Sequence, residues 1–317
     1  MESGKVWRAY VFGLASLLLA FVLALRLGAV TDLDVGTVVQ LRLPRAMLAA
    51  AVGIGLSVAG AALQALFANP LCEPYTLGIS SGSALGAVLG SALGFQFAYS
   101  GLVGSAFVGA LLFAGALYLI ARRPGTGNTT ILLVGVMLGF LGSSLVTVWV
   151  ALSDANGISG AMVWLWGDLS RARLEGATVS LALVVVLTGL VWLRWRELDA
   201  LLMGEEGALS LGVDVGRVRR RLILLTSVMI GVCVSAAGMI GFVGLIVPHF
   251  ARRLVGSLHL ALIPLCAIWG ATALIAADTV ARVIARPYEL PVGVVTALIG
   301  APVFLWIMLV RRGGETS

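Results

Sequence analysis

Charge is what this chain has least of. Of its 317 residues only 11% are Asp, Glu, Lys or Arg, while 60% are hydrophobic, and the mean hydropathy is +1.06. A soluble domain carries roughly a quarter charged residues because its surface must face water. Lipid must therefore solvate much of this one. Histidine and cysteine are also scarce, at 2 and 3. Cys72, Cys233 and Cys266 lie in or beside apolar runs with neither metal-ligand spacing nor a disulfide pattern, and read as small packing residues. His249 and His259 have no metal-ligand spacing either and read as interfacial side chains. No G-x-x-x-x-G-K-[ST] phosphate loop occurs, so the chain is not expected to hydrolyse ATP by that route. H-E-x-x-H is missing too, and no carboxylate pair stands in mid-run, which disfavours an intramembrane enzyme. Ionisable residues avoid the middle of the apolar runs, where a proton- or sodium-coupled carrier needs them. The nearest polar residues, Gln64, Asn69, Asn128 and Asn156, all fall toward run ends. Energy for any transport is expected to come from outside the chain.

What is present is a succession of apolar runs. A spanning helix needs about 20 mostly apolar residues, and such runs fall at about 9–28, 44–68, 76–94, 101–121, 129–152, 177–195, 219–240, 244–256, 259–279 and 291–310. The expectation is an all-α polytopic membrane protein of about ten spans, forming one permease domain over 1–317. The eighth run is too short to cross alone and is flanked or interrupted by Gly241, Gly244 and Pro248. Broken segments of that kind survive only under cover of protein or beside a water-filled cavity. The basic flank of the first run, Lys5 and Arg8, resembles a signal peptide, but an uncleaved first helix fits the spans that follow.

A net charge of +6 and a pI near 9.8 would suit a nucleic-acid partner. The distribution points to topology instead. With the N-terminus inside, 14 of the 21 basic residues fall in cytoplasmic stretches, the bias of the positive-inside rule. N-in, C-in is the consistent orientation, and it leaves Arg42, Arg45 and Arg282 among the minority outside.

Glycines at 78, 82, 86, 90 and 94 recur every fourth residue, making one smooth helix face for close packing, and Gly135 and Gly139 repeat this on a smaller scale. Ser57-Val-Ala-Gly60 and Ser235-Ala-Ala-Gly238 each precede a proline by ten residues and a glycine by eighteen, counted from their glycines. An inverted internal repeat of the kind seen in transporters would produce such a match; so would any Gly-rich apolar sequence. The polar stretch 196–221 has apolar residues at 201, 202, 208, 209 and 211 and acids at 205 and 206. Two short amphipathic helices divided by glycine are expected there, serving as a docking surface for a soluble partner or as an ordinary surface loop.

Three ordered motifs carry a family resemblance. Arg42-Leu-Pro-Arg45 is followed by Gly60-Ala-Ala-Leu-Gln64 and by Asn69-Pro70-Leu-Cys-Glu73-Pro74-Tyr-Thr-Leu-Gly78. Next come Gly238-Met-Ile-Gly241-Phe-Val-Gly244-Leu-Ile-Val-Pro248-His249 and Glu289-Leu-Pro291-Val-Gly293 with Gly300-Ala-Pro302. Together they resemble the FecCD family of type II ABC-importer permeases. The resemblance implies a homodimer with two ATPase subunits on the cytoplasmic side and a substrate-binding protein outside. ATP and Mg would be bound by the ATPase partner, with no cofactor or metal on this chain. It implies that Gly204, Glu205, Glu206, Gly207, Ala208, Leu211, Gly212 and Val213 form the ATPase-coupling region. Arg42, Arg45 and Arg282 match positions that dock the binding protein's acids. Arginine suits that task because it forms rigid bidentate pairs with carboxylates. Snorkelling at helix ends, or a local pair of Arg282 with Asp278 four residues earlier, are the plainer alternatives. Asn128 and Thr129 correspond to the cytoplasmic gate. Met137, Phe140, Ser143 and Ser144 are pathway candidates from span position alone, with ordinary packing equally open.

The expected function is import of a metal chelate by alternating access, powered by the partner ATPase, through the inner membrane of a bacterium or archaeon. Base rate puts an iron–siderophore or haem first, with cobalamin close behind. The rival is an ion-coupled carrier or channel that works without an ATPase.

Overall fold

The computed structural model describes residues 2–28, 34–94, 99–123, 125–153 and 165–312, and among them there is no β-strand. Twelve helices carry the fold among the described residues. They are α1 (Glu2–Arg26), α2 (Leu43–Leu66), α3 (Ile79–Ala92), α4 (Tyr99–Ala121), α5 (Asn128–Leu152) and α6 (Leu174–Trp192). The short α7 (Trp195–Leu201) and α8 (Gly204–Ser210) precede α9 (Val215–Ala237), α10 (Val243–Val255), α11 (His259–Val283) and α12 (Val292–Arg312). Seven are long and apolar enough to cross a bilayer: α1, α2 with the helical turns leading into it, α4, α5, α6, α9 and α11. The shorter apolar helices α3 and α12, with the more polar α10, bring the helices that correspond to the predicted runs to ten among the described residues, in the same order and near the same positions.

Helix α2 is the axis of the bundle. Its most apolar window is 83% buried, against 17% for α6 and 22% for α1, which present their apolar sides outward. Small residues put it there. A Cβ on Gly53 would fall on the backbone of Gly270 in α11, and one on Gly60 on the Gly244 carbonyl of α10. Between them Ser57 Oγ donates to the Cys266 carbonyl of α11 at 2.8 Å. Among apolar helices in lipid, association rests on such close packing and interhelical hydrogen bonds, because lipid supplies no hydrophobic drive between them. Gly60→Leu should therefore force α2 and α10 apart, costing about 3 kcal/mol as overpacking. Thermal unfolding in detergent checks this: a clearly lowered midpoint is expected, and an unchanged one contradicts the contact. Part of the glycine ladder packs as its spacing predicts, while Gly78 and Gly94 fall outside α3 with positive φ and a Cβ on Gly94 would meet nothing within 4 Å. Gly82 and Gly86 face Gly109 of α4, and Gly78, at φ +72°, sits against Gly135 and Gly139 of α5.

Two breaks interrupt the bundle. Helix α9 ends at Gly238 (φ 72°), and Phe242 takes a left-handed conformation (φ 69°) at the start of α10. Protein covers the backbone freed there, as a break at membrane depth requires: Asp168 N donates to the Ala237 carbonyl at 2.9 Å. The second break follows α2. The chain turns at Ala68 (φ 48°) and folds back alongside that helix. A Cβ on Gly244 would lie 2.5 Å from Pro74 Cδ and 2.7 Å from the Leu56 carbonyl, so Pro74 stands level with the middle of α2. Glu73 comes with it, and its carboxyl accepts a hydrogen bond from the Phe242 backbone N–H. The expectation that ionisable groups keep to run ends is corrected here. Glu73 reads as a loop residue in sequence and is carried inward because the loop re-enters.

The two matched motifs occupy unlike positions. Gly60 lies inside α2, whereas Gly238 ends α9; Pro70 lies in a turn, whereas Pro248 lies inside α10. The glycine and proline offsets therefore do not share local structure, whereas the glycines eighteen residues on, Gly78 (φ 72°) and Gly256 (φ 83°), both take positive φ at a helix end.

Candidate functional site

The functional side chains gather at two ends of the bundle. At one end, the wide helical turn Val38–Arg42 leads into α2 and places Arg42 over the end of α1. Arg42 Nη1 donates to the carbonyls of Leu25 (2.9 Å) and Arg26 (2.8 Å). Arg282 Nη1 donates to Ala24 (3.2 Å) and Leu27 (3.0 Å). These are orphan carbonyls at the negative end of the helix dipole, where a guanidinium is favourable. Arg45 Nε meets Asp278 Oδ1 at 2.8 Å and its Nη1 meets Glu289 Oε2 at 2.6 Å, while Arg282 Nε reaches Asp278 Oδ2 at 3.0 Å.

The three arginines are thus not free on the surface. Arg42, Arg45 and Arg282 are 4%, 7% and 3% exposed, and the local Arg282–Asp278 pair weighed from sequence is present. They line a cavity of about 260 Å³ with Glu289, Gly28, Thr37, Leu41 and Ser170. Asp278 and Glu289 offset part of the charge of the guanidinium groups gathered there. Asp278 and Glu289 were not among the sequence candidates. Only the four-residue spacing of Asp278 and Arg282 hinted at either.

At the other end, α7 and α8 form the pair of short helices that the 196–221 pattern predicts, with the chain turning at Leu202 and Met203 and Gly204 at φ 81°. Ala208 is fully buried and anchors α8, whose end is closed by Val213 N donating to the Ala208 carbonyl at 3.0 Å and by Gly212 at φ 79°. Glu205 and Glu206 are exposed beside Met203, Leu209 and Leu211, large apolar residues that also face outward. Exposed acids and large apolar residues thus stand side by side on this helix pair.

Asn128 opens α5, and its Nδ2 donates to the Leu66 carbonyl at the end of α2, at 2.8 Å. Thr129 beside it is exposed. The loop leading to Asn128 is tied to α8 through a residue that sequence counted only among the positive-inside cations. Arg219, 5% exposed, donates from Nη1 to the Thr126 carbonyl at 2.7 Å and from Nη2 to Glu205 Oε1 at 2.8 Å. Further along α5, Met137, Phe140 and Ser144 share an exposed face with Leu133, Leu141 and Val148. Ser143 is exposed as well, its Oγ 3.4 Å from Ser81 Oγ on α3. Asn156 lies outside the described residues.

Residues 6–310 match the FecCD transport family. The cobalamin import system permease protein of Halobacterium salinarum is 44% identical over 88% of this chain and 74% of that protein. The vitamin B12 import system permease of Vibrio vulnificus is 40% identical over 96% of this chain and 95% of its own length. The hemin transport system permease of Yersinia pestis is 39% identical over 86% and 83%. A solved inward-facing metal-chelate type ABC transporter superposes with a TM-score of 0.85 at 31% identity, covering 93% of this chain and 96% of that one. PsaBC of Streptococcus pneumoniae, at 18% identity and a TM-score of 0.57, shares the fold alone. A match over nearly the whole length, with relatives this similar and the same helical architecture, leaves one conclusion: this multi-pass membrane chain belongs to the FecCD transport family.

Proposed function

We propose that this chain is the transmembrane permease subunit of a binding-protein-dependent ABC importer that moves a metal chelate into the cytoplasm. The observation that carries the reading is the division of labour between its ends. A buried cationic cavity at one end awaits an acid, and an exposed acidic and apolar helix pair stands at the other. The first suits a carboxylate of a substrate-binding protein outside the membrane. The second suits the groove of an ATPase subunit in the cytoplasm, which would bind ATP and Mg and supply the energy. The exposed apolar faces of α5 and α12 suit a second copy of the chain across a shared pathway, with Asn128 and Thr129 at its cytoplasmic mouth.

Docking through Arg42, Arg45 and Arg282 takes a particular form in this geometry. Since their charges are already partly compensated, the partner's acid enters the cavity rather than meeting bare arginines at the surface. A ligand shifts a conformational equilibrium only as far as it binds the two states differently. The loaded binding protein and ATP must each prefer one state, and alternation between the two moves the solute.

Among metal chelates a corrinoid now ranks ahead of the iron chelates, because the relatives named for cobalamin or vitamin B12 match this chain at 40–44% identity. Proteoliposomes holding the permease with its ATPase and binding protein, offered labelled cobalamin, haem and a ferric siderophore in parallel, test this. Accumulation of cobalamin alone is expected. Accumulation of haem or siderophore instead would overturn the ranking, and accumulation of none would overturn the substrate class.

A further inference from the structure

We propose that Arg219 is the relay by which a partner's engagement of α8 moves the loop at the mouth of α5. This deepens the proposed function and rests on its reading of α8 as the ATPase seat and Asn128 as the gate. Arg219 lies in the first turns of α9, yet its side chain is committed to two other elements. Nη2 holds Glu205 of α8 and Nη1 holds the Thr126 carbonyl, two residues before Asn128. The two atoms it bridges belong to segments 79 positions apart in sequence (205 − 126).

Three features make this a link rather than a passive brace. Arg219 is buried, and its Nε has no partner among the described residues, so the bonds to Thr126 and Glu205 both matter to its placement. A buried guanidinium that loses its carboxylate is costly and must find another acceptor or move. Glu205 is about half exposed, with its side chain at 51%, so a partner seated on α8 can reach the carboxylate that Arg219 holds. Finally, the Thr126 bond is to backbone, so any displacement of Arg219 is felt by the loop itself rather than by a pliable side chain. Other ties at this end are one-sided. Asp199 Oδ1 accepts from the His259 backbone N–H at 2.7 Å, joining α7 to α11, and Asn128 joins α5 to α2; neither touches both α8 and the gate loop.

The test uses the assembled transporter in proteoliposomes, with cobalamin as the probe and spin labels at Arg123→Cys in both copies. Arg219→Gln should lower uptake per ATP hydrolysed by about tenfold, within the ordinary range of coupling free energies. The ATP-driven change in label distance should vanish with it. The swapped pair Glu205→Arg with Arg219→Glu carries the same test where Arg219→Gln lowers the yield. It restores the ion pair but leaves no donor for the Thr126 carbonyl, so it should stay uncoupled. Full coupling in Arg219→Gln, or rescue by the swap, would overturn the relay. The underlying reading fails differently. If Leu209→Asp with Leu211→Asp still assembles with the ATPase, α8 is not the seat, whatever Arg219 does.

Discussion

Truncating Asp278 to alanine is expected to destabilise the folded chain by about 3–5 kcal/mol, the usual result of removing one partner from a buried ion cluster. Asp278 is 1% exposed and holds Arg45 Nε with one oxygen and Arg282 Nε with the other. Without it, Arg45 keeps only Glu289, which is half-buried, and Arg282 keeps only neutral carbonyl and hydroxyl acceptors. Two buried guanidinium groups would then be left with a single carboxylate between them. Asp278→Asn should cost less, because an amide keeps an oxygen acceptor for one arginine while losing the charge. Thermal unfolding of the purified chain in detergent gives the comparison. The expected order of midpoints is parent, then Asn, then Ala, and an unaltered midpoint for Ala would show that the cluster contributes nothing net.

Arg42→Gln is expected to weaken binding-protein docking by about 2 kcal/mol or more, as loss of one partner of a buried charge pair does at interfaces, which is about 30-fold in affinity. Arg42 is one of three guanidinium groups that line the cavity, so its loss weakens the attraction of that cavity for an acid. Glutamine is the informative substitution. Its amide can still donate to the Leu25 and Arg26 carbonyls that Arg42 caps, so the end of α1 keeps its cover. Charge reversal of Arg42 and Arg282 together should abolish stimulation of ATP hydrolysis by the binding protein, but it also sets carboxylates against those carbonyls and against Asp278. Titrating the binding protein against the assembled importer while recording ATP hydrolysis reads both variants. Stimulation by Arg42→Gln at the parent's concentration would remove that residue from the docking assignment.

Much of the fold is legible in the sequence because lipid simplifies the code. Apolar runs of spanning length have few alternatives to helix, since an unpaired backbone group is unaffordable in hydrocarbon. Gly82 and Gly86 of α3 find the close helix packing their spacing predicts, and the split between α7 and α8 follows from Gly204 and the apolar residues beside it. What stayed hidden is what depends on distant partners. Arg45 meets residues 233 and 244 positions away, and Arg219 meets a carbonyl 93 away. A local pattern shows that an arginine is present, and says nothing of whether its charge is free or spent. That is why Arg42, Arg45 and Arg282 look like surface anchors in sequence and prove to be buried. Glu73 was hidden for a related reason. A loop that folds back into the bundle reads the same as one that stays outside until its contact with Gly244 is seen.

The central claim is that transport by this chain is driven by an ATPase partner and not by an ion gradient. Glu73, drawn in beside the middle of α2, is a feature that would give an ion-coupled carrier a foothold. The decisive measurement is uptake of labelled cobalamin into proteoliposomes that contain either the permease alone or the permease with its ATPase and binding protein. Each would be assayed with ATP, with a proton or sodium gradient, and with both. Uptake that needs both partners and ATP, and ignores the gradient, is the predicted result. Uptake by the permease alone, following the gradient and indifferent to ATP, would contradict the account and make Glu73 the residue to pursue.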